Sequence, residues 1–308
     1  IEPADLLANG HMDRVIREMI AHDIEPAVAI RWATLNGARN NRLRDHGAIA
    51  PGYLADIVLL DSLVDVSASD VFVGGRQVVR AGGLCVVVDE PPADLSVTNS
   101  VRIARPLTEE DFRLRPPVGD GTVTANLLVL EKSRLTRRES VEIPVQNGQL
   151  QLQDLDDVCI IALVPRHGQP HPPQTALLKG LGLQRGALAS SISHDSHNLL
   201  VTGHDPADML CAVNVLRKCG GGLVVVAEGE VLAKVELPLA GLMSRKSVIE
   251  LAEETRRLNQ VVQELGIAHA AKGLSTTGLA LTVIPELRMS DLGGLFDVAS
   301  QTFLPVFA

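Results

Sequence analysis

Two histidines three residues apart, His194 and His197, enclose Asp195 and Ser196 and are flanked by Ser193 and Asn198. These side chains can relay protons, hydrogen-bond a polar ligand or ligate a metal. Geometry narrows the choice. On one continuous strand His194 and His197 would point to opposite faces, because side chains alternate. They converge only if Asp195-Ser196 makes a turn, which those residue types favour. As a two-ligand metal site the motif is weak, so the readings are a structural or pocket-lining pair of histidines, or a loop that shapes or closes an active site. His194, Asp195 and His197 are the catalytic candidates, and Ser193, Ser196 and Asn198 are candidates for a substrate pocket or lid.

Other motifs carry less chemistry. Gly220-Gly221-Gly222 could cradle an anion, but it lacks the lysine of a P-loop and follows a helix instead of preceding one; a helix-to-strand turn is expected. Asp154, Asp156 and Asp157 read as a solvated loop, since a calcium site needs more oxygens at defined positions. Arg137-Arg138 reads as surface. Ser244 and Ser247 sit in no G-x-S-x-G context. The cysteines Cys85, Cys159, Cys211 and Cys219 match neither a disulfide framework nor a zinc site, which fits a reducing cytoplasm.

The elements that must position these residues follow from periodicity. Residues 1–45 read as helical: Met12, Val15, Ile16, Met19 and Ile20 recur as one buried face. Pro26 opens a second helix running to residue 38. Residues 57–60 form a short strand, and 71–73 with 77–79 a hairpin turning at Gly74-Gly75. Prolines at 91–92 and 116–117 mark a boundary between 86 and 122. Strands are then expected at 123–130, 141–145, 158–164, 187–193, 199–202, 223–227 and 231–237, the last two closed by Glu228-Gly229-Glu230. Asp205 and Pro206 start one helix, which Gly220 ends. Ser247 with Glu250 starts another.

The 308 residues correspond to about two domains at ~150 residues each. With 46% hydrophobic and 21% charged residues the chain is globular. Five Phe, one Trp and one Tyr leave almost no platforms for stacking bases, and the net charge of −9 disfavours a phosphate backbone or an anionic membrane. No apolar run nears the ~20 residues of a spanning helix and no secretory signal opens the chain. A cytoplasmic protein with no nucleic-acid or membrane partner is expected.

The passage Gly47-Ala48-Ile49-Ala50-Pro51-Gly52-Tyr53-Leu54-Ala55-Asp56-Ile57-Val58, preceded by Ala33-Thr34-Leu35-Asn36-Gly37-Ala38, resembles the amidohydrolase superfamily at the point where its last barrel helices lead into a small β-sandwich. Residues 186–203, read as G-A-L-A-S-S-I-S-H-D-S-H-N-L-L-V-T-G, are followed in order by Gly220-Gly221-Gly222-Leu223, Leu237-Pro238-Leu239-Ala240-Gly241-Leu242-Met243-Ser244 and Val283-Ile284-Pro285-Glu286-Leu287-Arg288. This collinear series is similar to the C-terminal domain of the microbial adenine deaminase family, and Ala4-Asp5-Leu6-Leu7 with Gly10-His11 and Asp13 is similar to that family's barrel exit.

The resemblance implies an α/β and α+β chain. Residues 1–45 would be the tail of a (β/α)8 amidohydrolase barrel, 46–88 part of a small β-sandwich, 89–102 a linker and 103–308 a mixed α/β C-terminal domain. It implies hydrolysis of adenine to hypoxanthine and ammonia by a hydroxide bound to a divalent metal, Mn or Fe with Zn as an alternative. The metal would be held by barrel residues absent from this chain, with no ligand among the residues here. It adds His11 to the pocket candidates, beside a helix-start hydrogen bond as the alternative. The family's catalytic aspartate would fall one or two residues before Ile1, so a fragment, or a natural half needing its barrel half, is expected. Expected partners are a purine base, the N-terminal barrel half of the same protein and further copies in a homo-oligomer. Residues 272–281, Gly/Thr-rich here, depart from the family pattern. The competing readings are a non-catalytic assembly domain, which an apolar exposed face on the 123–237 sheet would support, and an amidohydrolase for another cyclic substrate, whose relatives lack a long domain after the sandwich.

Overall fold

The computed structural model describes residues 2–88, 95–131, 135–267 and 276–308, and the chain divides into two units, 1–93 and 94–308. The prolines at 91–92 and residues 272–275 of the Gly/Thr-rich segment lie outside the described residues.

The first unit begins with helices α1 (Pro3–Asn9), α2 (Met12–Ala21) and α3 (Pro26–Arg31), which continues through a π-helical turn at Trp32–Asn36 into α4 (Gly37–Asn40). Pro3 and Pro26 occupy first-turn positions, where the missing N–H costs nothing. An antiparallel sheet follows in the order β1 (Ile57–Ser62), β2 (Ser67–Val73), β3 (Arg76–Arg80), β4 (Gly83–Leu84). Gly74 and Gly75, with φ of 56° and 79°, make the tight β2–β3 turn that two positive-φ residues permit. The core of this unit is small: Ile16, Ala29 and Val66 form its buried cluster. The stripe on α2 is therefore not one buried face. Ile16 is 9% exposed, but Met12 is 48% exposed and Val15 and Met19 are exposed as well, because α3 and Val66 cover one segment of it.

The second unit is built on nine strands: β5 (Gly121–Leu130), β6 (Thr136–Gln146), β7 (Gln149–Leu150), β8 (Val158–Val164), β9 (Gln174–Lys179), β10 (Ala187–Ser190), β11 (Leu199–Gly203), β12 (Gly222–Ala227) and β13 (Glu230–Glu236). Their spatial order is β13-β12-β10-β11-β8-β9-β5-β6-β7, antiparallel throughout except for the parallel β5–β9 pair. Every residue of β8 is buried. Ile160, Ala162 and Val164 pack with helix α5 (Pro206–Cys219), whereas Cys159, Ile161 and Leu163 pack on the face covered by helix α6 (Val248–Glu264). A small sheet of β14 (Leu287–Ser290), β15 (Gly294–Asp297) and β16 (Thr302–Leu304) lies on the α6 side, contributing Leu287, Met289 and Leu295 to that core. Coverage on both faces explains why the central strands read as continuous aliphatic runs. Each buried Val or Leu side chain contributes about 1.5–3 kcal/mol.

Local signals behave as their chemistry dictates. Asp205 caps α5 by accepting the Ala207 N–H at 2.9 Å, and Gly220 ends it in the left-handed conformation. The Ser247–Glu250 capping box opens α6. Gly221 and Gly222 form a close-packed turn: a Cβ on Gly222 would meet the Val235 carbonyl at 2.1 Å, and one on Gly221 the Gly241 backbone at 2.4 Å. Two strands differ from expectation. Residues 141–145 are part of the longer β6, and 187–193 is cut short because the chain leaves the sheet after Ser190. There the Ser190 hydroxyl accepts the Ile192 N–H at 2.9 Å. No helix among the described residues is long and apolar enough to cross a membrane. In the 123–237 region the large hydrophobics that are exposed are Leu135 and Val231, so the sheet presents no apolar face among the described residues.

Candidate functional site

Because β10 ends at Ser190, residues 191–198 form a loop between β10 and β11 with a turn over 194–196. That turn brings the two histidine rings together: their centroids lie 5.2 Å apart with the planes at 64°. The His197 N–H donates to the Ser193 carbonyl at 2.6 Å, and the Ser193 N–H donates back to His197 Nδ1 at 3.2 Å. His197 takes the left-handed conformation, φ 51°. His194, Asp195 and Ser196 are exposed, His197 is half-buried, and Ser193 and Asn198 are buried. The Ser193 hydroxyl oxygen is buried without a hydrogen-bond partner among the described residues.

The loop is gripped from the end of β8 by Arg166 and His167, which the sequence did not single out. The Arg166 backbone N–H donates to Asn198 Oδ1 at 3.0 Å, its Nε donates to the His197 carbonyl, and His167 Nε2 lies 2.8 Å from the Ser196 carbonyl. The remaining guanidinium donors reach Ser100 Oγ at 2.7 Å and the Ala240 carbonyl at 2.9 Å. Arg166 is 2% exposed, and all of these partners are neutral oxygens. Burial lowers its pKa from the ordinary arginine value. Gly241, at φ 73°, lies against it: a Cβ there would be 2.7 Å from Nη1. From the far side, the His194 N–H donates to the Thr277 carbonyl at 2.9 Å and Asn198 Nδ2 donates to Asp291 Oδ2 at 2.8 Å.

His197 is held below the ordinary histidine pKa, first by burial and then by His194 and Arg166; Asp195 acts in the opposite sense. Asp195, Ser196, Thr282, Ser290 and Asp291 border a cavity of about 140 Å³ floored by Leu163 and Met289. That is below the ~300 Å³ of a typical ligand pocket. A larger groove, about 810 Å³, involves His204 and Pro206 at the opposite end of β11, ~15 Å along the strand. Its arginines, Arg113 and Arg115, are already paired with Glu109 and Glu110, so it has less free charge to offer a ligand.

The arrangement can donate and accept hydrogen bonds to a polar ligand. It does not fit a metal centre: no group of three or more His, Cys, Asp or Glu among the described residues could hold an ion. His11 belongs to the other unit. It precedes α2 with no side-chain cap bond, and its backbone N–H donates to Asp13 Oδ1 at 2.7 Å.

Residues 133–302 match the family described as adenine deaminase C-terminal domain, and residues 5–79 match the amidohydrolase family. Among curated relatives, the adenine deaminase of Moorella thermoacetica is 38% identical over 293 residues, covering 94% of this chain and 49% of the relative. That of Nitratidesulfovibrio vulgaris is 39% identical over 309 residues, covering 99% and 52%. That of Roseobacter denitrificans is 40% identical over 308 residues, covering 98% and 50%. The chain spans about half the length of the curated relatives it matches.

Proposed function

This chain belongs to the adenine deaminase family, and on that footing we propose that it works as the C-terminal part of an enzyme that hydrolyses adenine to hypoxanthine and ammonia. The observation that carries the reading is the family match across residues 133–302, which takes in most of the nine-stranded unit and the whole 193–198 loop. In this reading the loop forms one wall of the purine site. His197, His194 and Asp195 supply hydrogen-bonding groups and Asn198 holds the loop's shape.

The divalent metal of amidohydrolases supplies the activated water when bound, and the described residues offer it no site. We assign it, manganese or iron by family resemblance, to a barrel half contributed by the same protein. The first unit supports that assignment. Its buried aliphatic residues among those described are Ile16, Ala29, Ala38 and Val66, whereas Met12, Val15, Met19, Trp32, Val58 and Leu59 are exposed. A free-standing domain of this size would bury ~60% of its surface, so a surface of this kind suits a body completed by further chain. The cysteine pattern supports a cytoplasmic setting, and the family resemblance supports a role in purine salvage and oligomer formation.

The test joins this chain to the barrel of a relative and follows hypoxanthine formation. The joined protein should deaminate adenine with Mn²⁺ or Fe²⁺, and the 308-residue chain alone should not. Turnover by the chain alone would overturn the division of labour.

A further inference from the structure

A fully buried guanidinium satisfied by neutral oxygens is an expensive feature, because desolvating a charge costs several kcal/mol that no carboxylate here repays. Arg166 has that character: its Nη atoms anchor it to Ser100 and the Ala240 carbonyl, and its Nε is left for the loop. The carbonyl of Ser196 meets His167, the carbonyl of His197 accepts from Arg166 Nε, and the side-chain oxygen of Asn198 accepts from the Arg166 backbone N–H. The middle residue of the three is the one in the left-handed conformation, which a non-glycine residue adopts at a cost of about 1–3 kcal/mol unless its surroundings impose it. Imposing it has a chemical consequence. It folds the ring back so that Nδ1 accepts the Ser193 N–H. A neutral imidazole with its Nδ1 lone pair engaged carries its proton on Nε2.

We propose that Arg166 is the positioning residue of this site: by holding the His197 carbonyl it fixes His197 as a neutral Nε2–H tautomer, an N–H donor for an acceptor atom of the purine. The purine part rests on the function proposed above; the clamp and the tautomer do not. The groups facing His197 are consistent with a ring kept neutral. Arg166 and His167 approach from the end of β8, and His194 and Asp195 from its own loop. Asp291, from the β14–β15 turn, is reached through Asn198. One carboxylate, that of Asp195, opposes three cationic or protonatable neighbours.

The test uses the full 308-residue chain with ¹⁵N-labelled histidine, the His197 signals being assigned by their loss in His197→Gln. Long-range ¹H–¹⁵N spectra at neutral pH should show Nδ1 unprotonated and Nε2 protonated. In Arg166→Met the fixed tautomer should be lost and the titration midpoint of His197 should move up. In Arg166→Lys, which keeps the charge but removes the Nε donor to the His197 carbonyl, the tautomer should relax while the midpoint stays low. A proton on Nδ1 in the unaltered chain would overturn the proposal, as would a folded Arg166→Met chain with tautomer and midpoint both unchanged. If Arg166→Met does not fold, Ser100→Ala, which removes the acceptor 2.7 Å from Nη1, takes its place: with the charge retained the tautomer should relax while the midpoint stays low, and an unchanged tautomer would overturn the proposal. No substrate enters this measurement, so its failure counts against Arg166 and not against the deaminase reading.

Discussion

Asn198 joins Asp291 to the end of β8: its amide nitrogen donates to Asp291 Oδ2 at 2.8 Å while its amide oxygen accepts the Arg166 N–H at 3.0 Å. One side chain thus fastens the loop, the central sheet and the small β14–β16 sheet. Asn198 is 1% exposed, so either partner left alone bears a desolvation cost of about 1–3 kcal/mol. Asn198→Ala should lower the unfolding free energy by ~2 kcal/mol in urea titrations. Asn198→Asp should cost more near neutral pH, because a carboxylate would then face Asp291.

The depressed His197 pKa makes stability depend on pH in a definite direction. Its neutral form is favoured by folding, so the unfolded chain takes up a proton first as pH falls below the ordinary histidine value of 6.5. The contribution is fully present above that pH and is lost as pH falls through the lower folded value. The stability difference between the unaltered chain and His197→Gln, measured by denaturant titration from pH 7.5 to 5, should therefore shift against the unaltered chain on acidification. A constant difference would contradict the assignment.

The glycine run is a packing device in this fold. Gly222 has φ 146° and a Cβ there would meet the Val235 carbonyl at 2.1 Å. Gly222→Ala should destabilise the second unit by about 2–4 kcal/mol, read as a lowered urea midpoint, the range expected for backbone strain combined with a steric clash.

Thiol reactivity offers a check on the sheet core. Cys159 is buried in β8, and burial, with a smaller effect from Asp157, pushes its thiol far above the ordinary range. Cys85 is exposed. An aromatic disulfide reagent at pH 8 should modify Cys85 in the folded chain and reach Cys159 only on unfolding. Mass mapping of labelled peptides distinguishes the two.

What could be read from the sequence was local. Strand 158–164, the Asp205 and Gly220 ends of α5, the Ser247 capping box and the Gly74-Gly75 turn were all legible, because each depends on neighbours a few residues away. Convergence of His194 and His197 followed once Asp195-Ser196 was allowed a turn. Strand β9 was not legible, since it follows a Pro-rich stretch and gains its place only through pairing with β8 and β5. The exposed side of α2 could not be anticipated from periodicity, which reports a stripe but not what covers it. Arg166 was invisible for a related reason. An arginine after an aliphatic strand, in Val164-Pro165-Arg166-His167-Gly168, reads as a solvated strand end. Its burial comes from residues 100, 197, 198 and 240, which are distant in sequence.

The central claim is that the 193–198 loop belongs to the adenine site, and steady-state kinetics of the joined protein test it most directly. With adenine as substrate, His197→Gln should reduce kcat/KM at least ~10-fold, the loss of one transition-state or binding hydrogen bond worth ~1.4 kcal/mol or more, while the fold is retained. A folded His197→Gln protein with unchanged kcat and unchanged KM would contradict it.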